Sequence, residues 1–347
     1  MAPQLNVADK QESVRTPELL RSVGNVRLEL RGDADKSQTL ENSKSIRPNL
    51  KVKLSQIRHC SIKDIKLDSG PDDRATRIGM GDFGTVFRAT HVPSGDRVAV
   101  KFFKRDENTR RDILVEARVL EYLNGAKLSP KFYGVVNYGE AAVAETEFSP
   151  LAVVTEFVSI RQKSRLSFHY EEFRKFRSTR RHLTATDWLR FGMELAEGLQ
   201  EIHEMGIGIF DIKHENIMVQ RDSKGRIHPR IVDFGAAFLL NDDKPYLSPN
   251  KFTLEMLKQL RPMSEQLAPE IFEFASRSAA LDVYSLGFVF GDMARRAKVL
   301  GLRDLAAHCM ADDPTRRPCL PDVIGHLKRL LKEEKQRRLA TFHRSVA

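Results

Sequence analysis

The stretch IGIFDIKHENIMV, residues 207–219, decides how the rest of the chain is read. Asp211, Lys213 and Asn216 fall within six residues and are flanked by apolar runs. A carboxylate in the first position can orient a hydroxyl and accept its proton. A lysine two residues on can stabilise a transferring phosphate. An asparagine oxygen suits a magnesium ion, which prefers oxygen ligands. The same letters also fit a polar turn between two strands, so the choice rests on what surrounds them.

Downstream by 22 residues (233 − 211), IVDFG places Asp233 after a short apolar strand, where it would be the main magnesium ligand. Upstream, VAVK ends an apolar strand on Lys101. A lysine turned into a lobe is costly unless it meets negative charge. Phosphate oxygens and a glutamate would supply that charge, with Glu116 on the following helical stretch as the expected partner and Glu121 as its rival. Further upstream, IGMGDFGTVF (residues 78–87) sets Gly79, Gly81 and Gly84 between strand-like flanks. Glycines let a backbone approach phosphates closely. Taken alone, the run reads as a tight hairpin. It has no lysine-serine pair and no helix directly after it, which argues against a P-loop ATPase. Phosphoryl transfer needs the triphosphate held, its charge neutralised and the hydroxyl oriented. Each need has a candidate here.

In this order the motifs resemble the eukaryotic protein kinase family, from about Arg74 to about Arg338. The resemblance implies an α+β, bilobal fold. A small β-rich N-lobe with one regulatory helix would span 74–155, a hinge 156–159, and a larger, mainly helical C-lobe 160–338. Residues 51–73 would be a transition segment that adds a strand or short helix, and 339–347 a tail. The implied cofactors are ATP and Mg2+, and the implied partner is a protein substrate. Asp211, Lys101, Lys213 and Glu116 take catalytic roles by this resemblance, and Asn216 and Asp233 hold metal. The nucleotide would meet Ile78, Gly79, Met80, Gly81, Asp82, Phe83, Gly84, Thr85, Val86, Ala99, Lys101 and Met218. Ile78, Val86, Ala99 and Met218 would sandwich adenine, Thr155 would be the gatekeeper, and Glu156, Phe157 and Val158 the hinge. Asp282, in DVYSLG, would anchor the catalytic loop, and Arg317 would pair with Glu270 of the Ala268-Pro269-Glu270 motif. The expected reaction is transfer of the ATP γ-phosphate to serine or threonine hydroxyls, which Lys213 favours over tyrosine. Two other readings stay open: a nucleotide-binding scaffold without catalysis, and a small-molecule kinase. The motifs at Ala268, Asp282 and Arg317 argue against the second.

The chain also departs from the family. Ile209 and Phe210 stand where histidine and arginine usually precede the catalytic aspartate. Ile209 is expected to pack against Phe234, Leu120 and Phe132. Phe210 cannot receive a phosphate, so order in the loop from Gly235 to Ala268 should come from packing, with Phe238, Leu239 and Leu240 as anchors. That loop holds Tyr246, Ser248, Thr253 and Ser264 and lacks the usual Gly-Thr pair. Only 32 residues (314 − 282) separate Asp282 from Pro314, so a peripheral helix is expected to be missing.

Of the 347 residues, 41% are hydrophobic, enough for a sizeable core. No run of 18 uncharged apolar residues marks a membrane span, and MAPQLNVADKQE lacks the apolar run of a signal peptide. Three distant cysteines, Cys60, Cys309 and Cys319, point to a reducing compartment, and the expectation is a cytoplasmic protein with the nucleus as second choice. The net charge of +10 fits anionic partners or mere solubility, and nothing firm points to nucleic acid. Arg161 to Arg181 carries eight Lys or Arg and two Glu, the pattern of a solvated loop or of a dock for an acidic partner. No aromatic residue precedes Phe83, and residues 1–50 are expected to be disordered. Helical periodicity covers Asn108–Leu123, Ala185–Met205, Ala280–Ala297 and Pro321 to the end. The basic, amphipathic end, KRLLKEEKQRRLATFHR, reads first as a plain last helix, with a membrane or calmodulin-type role as the alternative.

Overall fold

The structure, a computed structural model, describes residues 57–70, 74–81, 83–106, 109–159, 169–175, 183–240 and 254–346. The first half forms one seven-stranded sheet from β1 (His59–Cys60), β2 (Ile65–Leu67), β3 (Arg77–Met80), β4 (Gly84–His91), β5 (Asp96–Lys104), β6 (Phe132–Asn137) and β7 (Phe148–Glu156). The spatial order is β1-β6-β7-β5-β4-β2, with β3 also paired to β4. Only the β1–β6 pair is parallel. The segment read as a transition thus supplies strands at both ends of this order, joined by a single 3-10 turn, Ile62–Asp64.

Two-residue alternation makes the sheet one-sided. Along β5, Val98, Val100 and Phe102 are fully buried, while Ala99 and Lys101 on the other face are partly open. The buried face joins Ile65, Leu67, Phe87, Phe148 and Val154 in the N-lobe core. Gly95 turns β4 into β5 in the left-handed region (φ 70°), with its N–H donating to the His91 carbonyl at 2.8 Å. Between β5 and β6 lies α1 (Thr109–Tyr122), which buries Ile113, Ala117 and Leu120. Leu114, expected on that face, is only half-buried because Val115 and Val119 complete the stripe instead. A short α2 (Glu140–Val143) precedes β7.

The second half is mainly helical: α3 (Tyr170–Lys175), α4 (Ala185–Glu204), α5 (Leu254–Leu260), α6 (Ala279–Ala297), α7 (Leu300–Cys309) and α8 (Leu320–Val346). Among the described residues, four short strands, β8 (Ile207–Gly208), β9 (Ile217–Arg221), β10 (Ile227–Ile231) and β11 (Phe238–Leu239), form two antiparallel pairs, the β9–β10 hairpin and β8–β11. Helix α4 begins at a reciprocal cap: the Thr184 N–H donates to Asp187 Oδ2 at 2.8 Å, and the Asp187 N–H to Thr184 Oγ1 at 3.3 Å. Its Trp188, Phe191, Leu195, Leu199 and Ile202 recur at helical spacing and are all buried, against α6 and α8. Each such side chain contributes about 1.5–3 kcal/mol by leaving water. The chain therefore has the α+β, bilobal architecture its motifs imply.

Between α6 and the turn at Pro314 stands one helix of ten residues, α7. Helix α8 passes Arg338 without a break and runs to Val346, so the expected tail continues the last helix. In the basic stretch from Arg161, the described part is 169–175, where α3 buries Tyr170 and Phe173 while Lys175 is exposed. Residues 1–50, Asp82, 161–168, 176–181, Tyr246, Ser248 and Thr253 lie outside the described residues.

Candidate active site

Three carboxylates and two lysines meet where the sheet faces the segment after α4. Lys101 leaves β5 on its open face and donates to Glu116 Oε1 and Oε2 at 3.1 and 2.9 Å. Its Nζ also lies 3.1 Å from Asp233 Oδ1. The choice between Glu116 and Glu121 is thus made: Glu116 meets the lysine, and Glu121 bonds Arg58 instead. Burial pulls the Lys101 ammonium down, but Asp233 and Glu116 together outweigh it and hold its pKa above the ordinary value. Burial likewise pushes Asp233 up, and Lys101 reverses the sign, so its carboxyl titrates below the usual range.

The other half lies between β8 and β9. Lys213 Nζ donates to Asp211 Oδ2 at 2.7 Å, and Asn216 Nδ2 donates to the same oxygen at 2.8 Å and to the Asp211 carbonyl at 3.0 Å. Two donors on Oδ2 leave Oδ1 without a partner among the described residues. Lys213 is pulled down by burial but raised more by Asp211, with Asp233 adding to the effect, which ties the two halves electrostatically.

The fit to a magnesium ion can be tested on these bonds. Because Asn216 spends its amide N–H groups on Asp211, its side-chain carbonyl oxygen is unbonded among the described residues. Asp233 uses Oδ1 for Lys101 and for the Gly235 N–H at 3.2 Å, leaving Oδ2 unbonded among them. Two hard oxygen donors, one of them charged, match a cation that takes its remaining ligands from phosphate and water.

A buried aspartate shapes this loop. Asp282, fully enclosed in α6, accepts the Ile209 N–H at 2.8 Å on Oδ2 and the Phe210 N–H at 2.6 Å on Oδ1. His203 Nε2, from the last turn of α4, lies 2.8 Å from the same carboxylate. Phe210 is held at φ 70°, and the Asp211 N–H turns back to the Ile209 carbonyl at 3.0 Å. This tight turn aims Asp211 away from the core while the Phe210 ring packs with Phe238, Leu257, Leu260 and Leu281. Ile209 is buried in one cluster with Phe234, Leu120 and Phe132, as its apolar character predicts.

Over Lys101, β3 and β4 form the glycine-rich hairpin, closed by the Gly81 N–H donating to the Gly84 carbonyl at 2.9 Å. The glycines differ in purpose. A Cβ on Gly81 would meet nothing, whereas one on Gly84 would fall 2.0 Å from the Phe102 carbonyl. Gly84 is therefore needed for the approach of β5, whatever else its backbone meets. Met80 is exposed, Phe83 half-buried and Thr85 buried. Register places Val86 opposite Lys101, Arg88 opposite Ala99, and Ala99 opposite Thr155. Ile78, Val86, Ala99, Thr155 and Met218 are each half-buried, and Val158 is buried. The Glu156 side chain accepts the Lys131 N–H at 3.3 Å and is taken up on the sheet.

Arg317 and Glu270 form a bidentate pair at 2.5 and 2.7 Å. Arg317 spends its other donors on the carbonyls of Ala311, Ala280 and Asp312, so this buried charge is fully satisfied. Neither His203 nor Arg58 carries a motif that the sequence offers. Each acts through a partner more than 60 positions away, and nothing local distinguishes them from surface residues.

A family model described as protein kinase domain matches residues 73–343. Smooth-muscle myosin light chain kinase of Gallus gallus is 27% identical over 214 residues, 61% of this chain and 10% of that protein. Cyclin-dependent kinase 20 of Danio rerio is 24% identical over 238 residues, covering 67% and 60%. A probable serine/threonine-protein kinase of Dictyostelium discoideum is 30% identical over 221 residues, covering 62% and 41%. The matched part of this chain thus spans less than two thirds of each relative's own length.

Proposed function

This chain belongs to the protein kinase family, and from that premise we propose that it transfers the γ-phosphate of ATP to serine or threonine hydroxyls of protein substrates. The observation that carries the reading is the bonding of Asp211. Lys213 and Asn216 both donate to Oδ2, which leaves Oδ1 to receive the proton of an incoming hydroxyl. As that oxygen bonds to the γ-phosphorus, the bond from phosphorus to the bridging β–γ oxygen breaks and ADP leaves. Lys213 bonds Asp211 and also feels the charge of Asp233, and would stabilise the negative charge that is transferred. Lys101, locked by Glu116, would hold the phosphates nearer the adenine. Asn216 and Asp233 would hold Mg2+, which would supply neutralisation of the triphosphate's charge. The half-buried faces of Ile78, Val86, Ala99 and Met218 suit the two sides of adenine.

The closed Lys101–Glu116 pair and the open Asp211 oxygen favour catalysis over a nucleotide-binding scaffold. Incubating the purified chain and a general protein acceptor with labelled ATP and Mg2+, followed by phosphoamino-acid analysis, tests this. Labelled phosphoserine or phosphothreonine is expected, and Asp211→Asn should abolish it while ATP still binds. Label on tyrosine alone would overturn the specificity. ATP binding with no transfer by the unaltered chain would leave the scaffold.

A further inference from the structure

The chemistry above needs Glu116 against Lys101, and Glu116 rides on α1. Whatever fixes α1 therefore sets how many molecules are competent. One such contact comes from outside every motif. Strand β1 is laid along β6, with the Val135 N–H donating to the Arg58 carbonyl at 2.9 Å and Cys60 Sγ to the Tyr133 carbonyl at 3.0 Å. The approach depends on Gly134, at φ 143°, where a Cβ would fall 2.9 Å from both the Arg58 oxygen and Cys60 Sγ. Held in this way, Arg58 grips one carboxylate of α1 twice. Its N–H donates to Glu121 Oε2 and its Nη2 to Oε1, each at 3.0 Å. Its Nη1 donates to the Phe132 carbonyl at 3.2 Å, tying the same guanidinium to the sheet.

We propose that Arg58 is a positioning residue that holds α1 through Glu121 in the orientation where Glu116 reaches Lys101. The inference rests on the kinase reading for its catalytic readout. An exposed ion pair alone contributes little, and the Arg58 side chain is half-exposed. Here the backbone N–H is a second donor to the same carboxylate, and strand pairing fixes it in advance, so less freedom is lost on forming the contact. Glu121 lies five positions beyond Glu116 (121 − 116), so a shift at one end of this segment moves the other.

The test uses the full chain and the variants Arg58→Ala, Arg58→Lys, Glu121→Gln and the Arg58→Ala/Glu121→Gln double variant. Arg58→Ala is expected to lower kcat about fivefold, the upper range for an exposed pair. KM for the protein substrate should stay unchanged, and amide exchange across α1 should quicken. Arg58→Lys should recover part of the loss, and the double variant should be no worse than Arg58→Ala. Additive losses in the double variant, or unchanged α1 exchange in Arg58→Ala, would overturn the proposal. Should Arg58→Ala fail to fold, Glu121→Gln, which keeps an acceptor for the Arg58 N–H, supplies the same two readouts. An unaltered chain that transfers no phosphate would sink the kinase reading instead, while α1 exchange, which needs no catalysis, still decides this one.

Discussion

Phe210 adopts a backbone conformation that costs a non-glycine residue about 1–3 kcal/mol. Asp282 holds its N–H, and burial of its ring among Phe238, Leu257 and Leu260 offsets the cost. Restoring the family's usual arginine, Phe210→Arg, places a charge in that apolar cluster. A loss of roughly 2–4 kcal/mol in urea unfolding is expected, in the range of severe core changes. A stability within 0.5 kcal/mol of the parent, as surface changes give, would show that the ring is not an anchor. The Lys101–Asp233 pair makes a second prediction. Lys101 is raised on folding, so its contribution is present below its unfolded pKa of about 10.4 and fades as pH rises through the higher folded value. Asp233 is lowered, so its contribution is present above about pH 3.9 and fades as pH falls through the folded value. Between those limits the pair's effect on stability is flat. Asp233→Asn should flatten the acid limb of the melting-temperature profile and leave the neutral region parallel to the parent. It should also weaken the thermal shift given by Mg-ATP, and an undiminished shift would assign the metal elsewhere.

Among the elements, the β3–β4 hairpin separates two reasons for glycine that its sequence presents as one. Gly84→Ala is expected to destabilise the sheet, because its Cβ would collide with the Phe102 carbonyl in a paired strand. Gly81→Ala, facing open space, should leave the melting temperature unchanged and raise the KM for ATP. Equal effects of the two changes on stability would refute the distinction. The start of the loop after Asp233 is held in a comparable way. β11 pairs with β8, the Leu240 N–H donates to the Gly206 carbonyl at 2.9 Å, and the Phe238 ring lies where a Gly208 Cβ would be, 2.2 Å from Cζ. These contacts need no phosphate. Phosphatase-treated protein, checked by mass spectrometry, should keep its turnover. A tenfold drop, about 1.4 kcal/mol of barrier, reversed by phosphorylating one loop residue, would contradict this. The motifs were legible in sequence because the chemistry demands fixed residue types at short range, as in Asp211, Lys213 and Asn216. The supports of those motifs were not. His203 reads as one more histidine at a helix end, and Gly84 as one more phosphate glycine. Glu121 was only the rival of Glu116, since its partner Arg58 lies 63 positions away.

For the molecule as a whole, the described fold begins before the motifs do. Deleting residues 1–50 is expected to leave the melting temperature within about 2 °C of the parent, roughly the shift of a 1 kcal/mol change in a fold of this size. A larger fall would show that this segment packs on the body. A deletion reaching through Cys60 should behave differently, because it removes β1 from β6 and Arg58 from Glu121. The outermost strands carry one more consequence. An exposed sheet edge is a template on which another chain can add a strand, and short edge strands are one guard against it. Here β1 is two residues long and β2 three, and the turn Ile62–Asp64 links them with Lys63 among its three residues. By laying β1 over β6 and β2 beside β4, the chain covers the longer ladders of its own sheet with stubs. Removing β1 would uncover β6, Phe132–Asn137, whose sequence FYGVVN is rich in β-forming residues and uncharged. Loss of those few residues should therefore appear as self-association on concentration as well as in turnover.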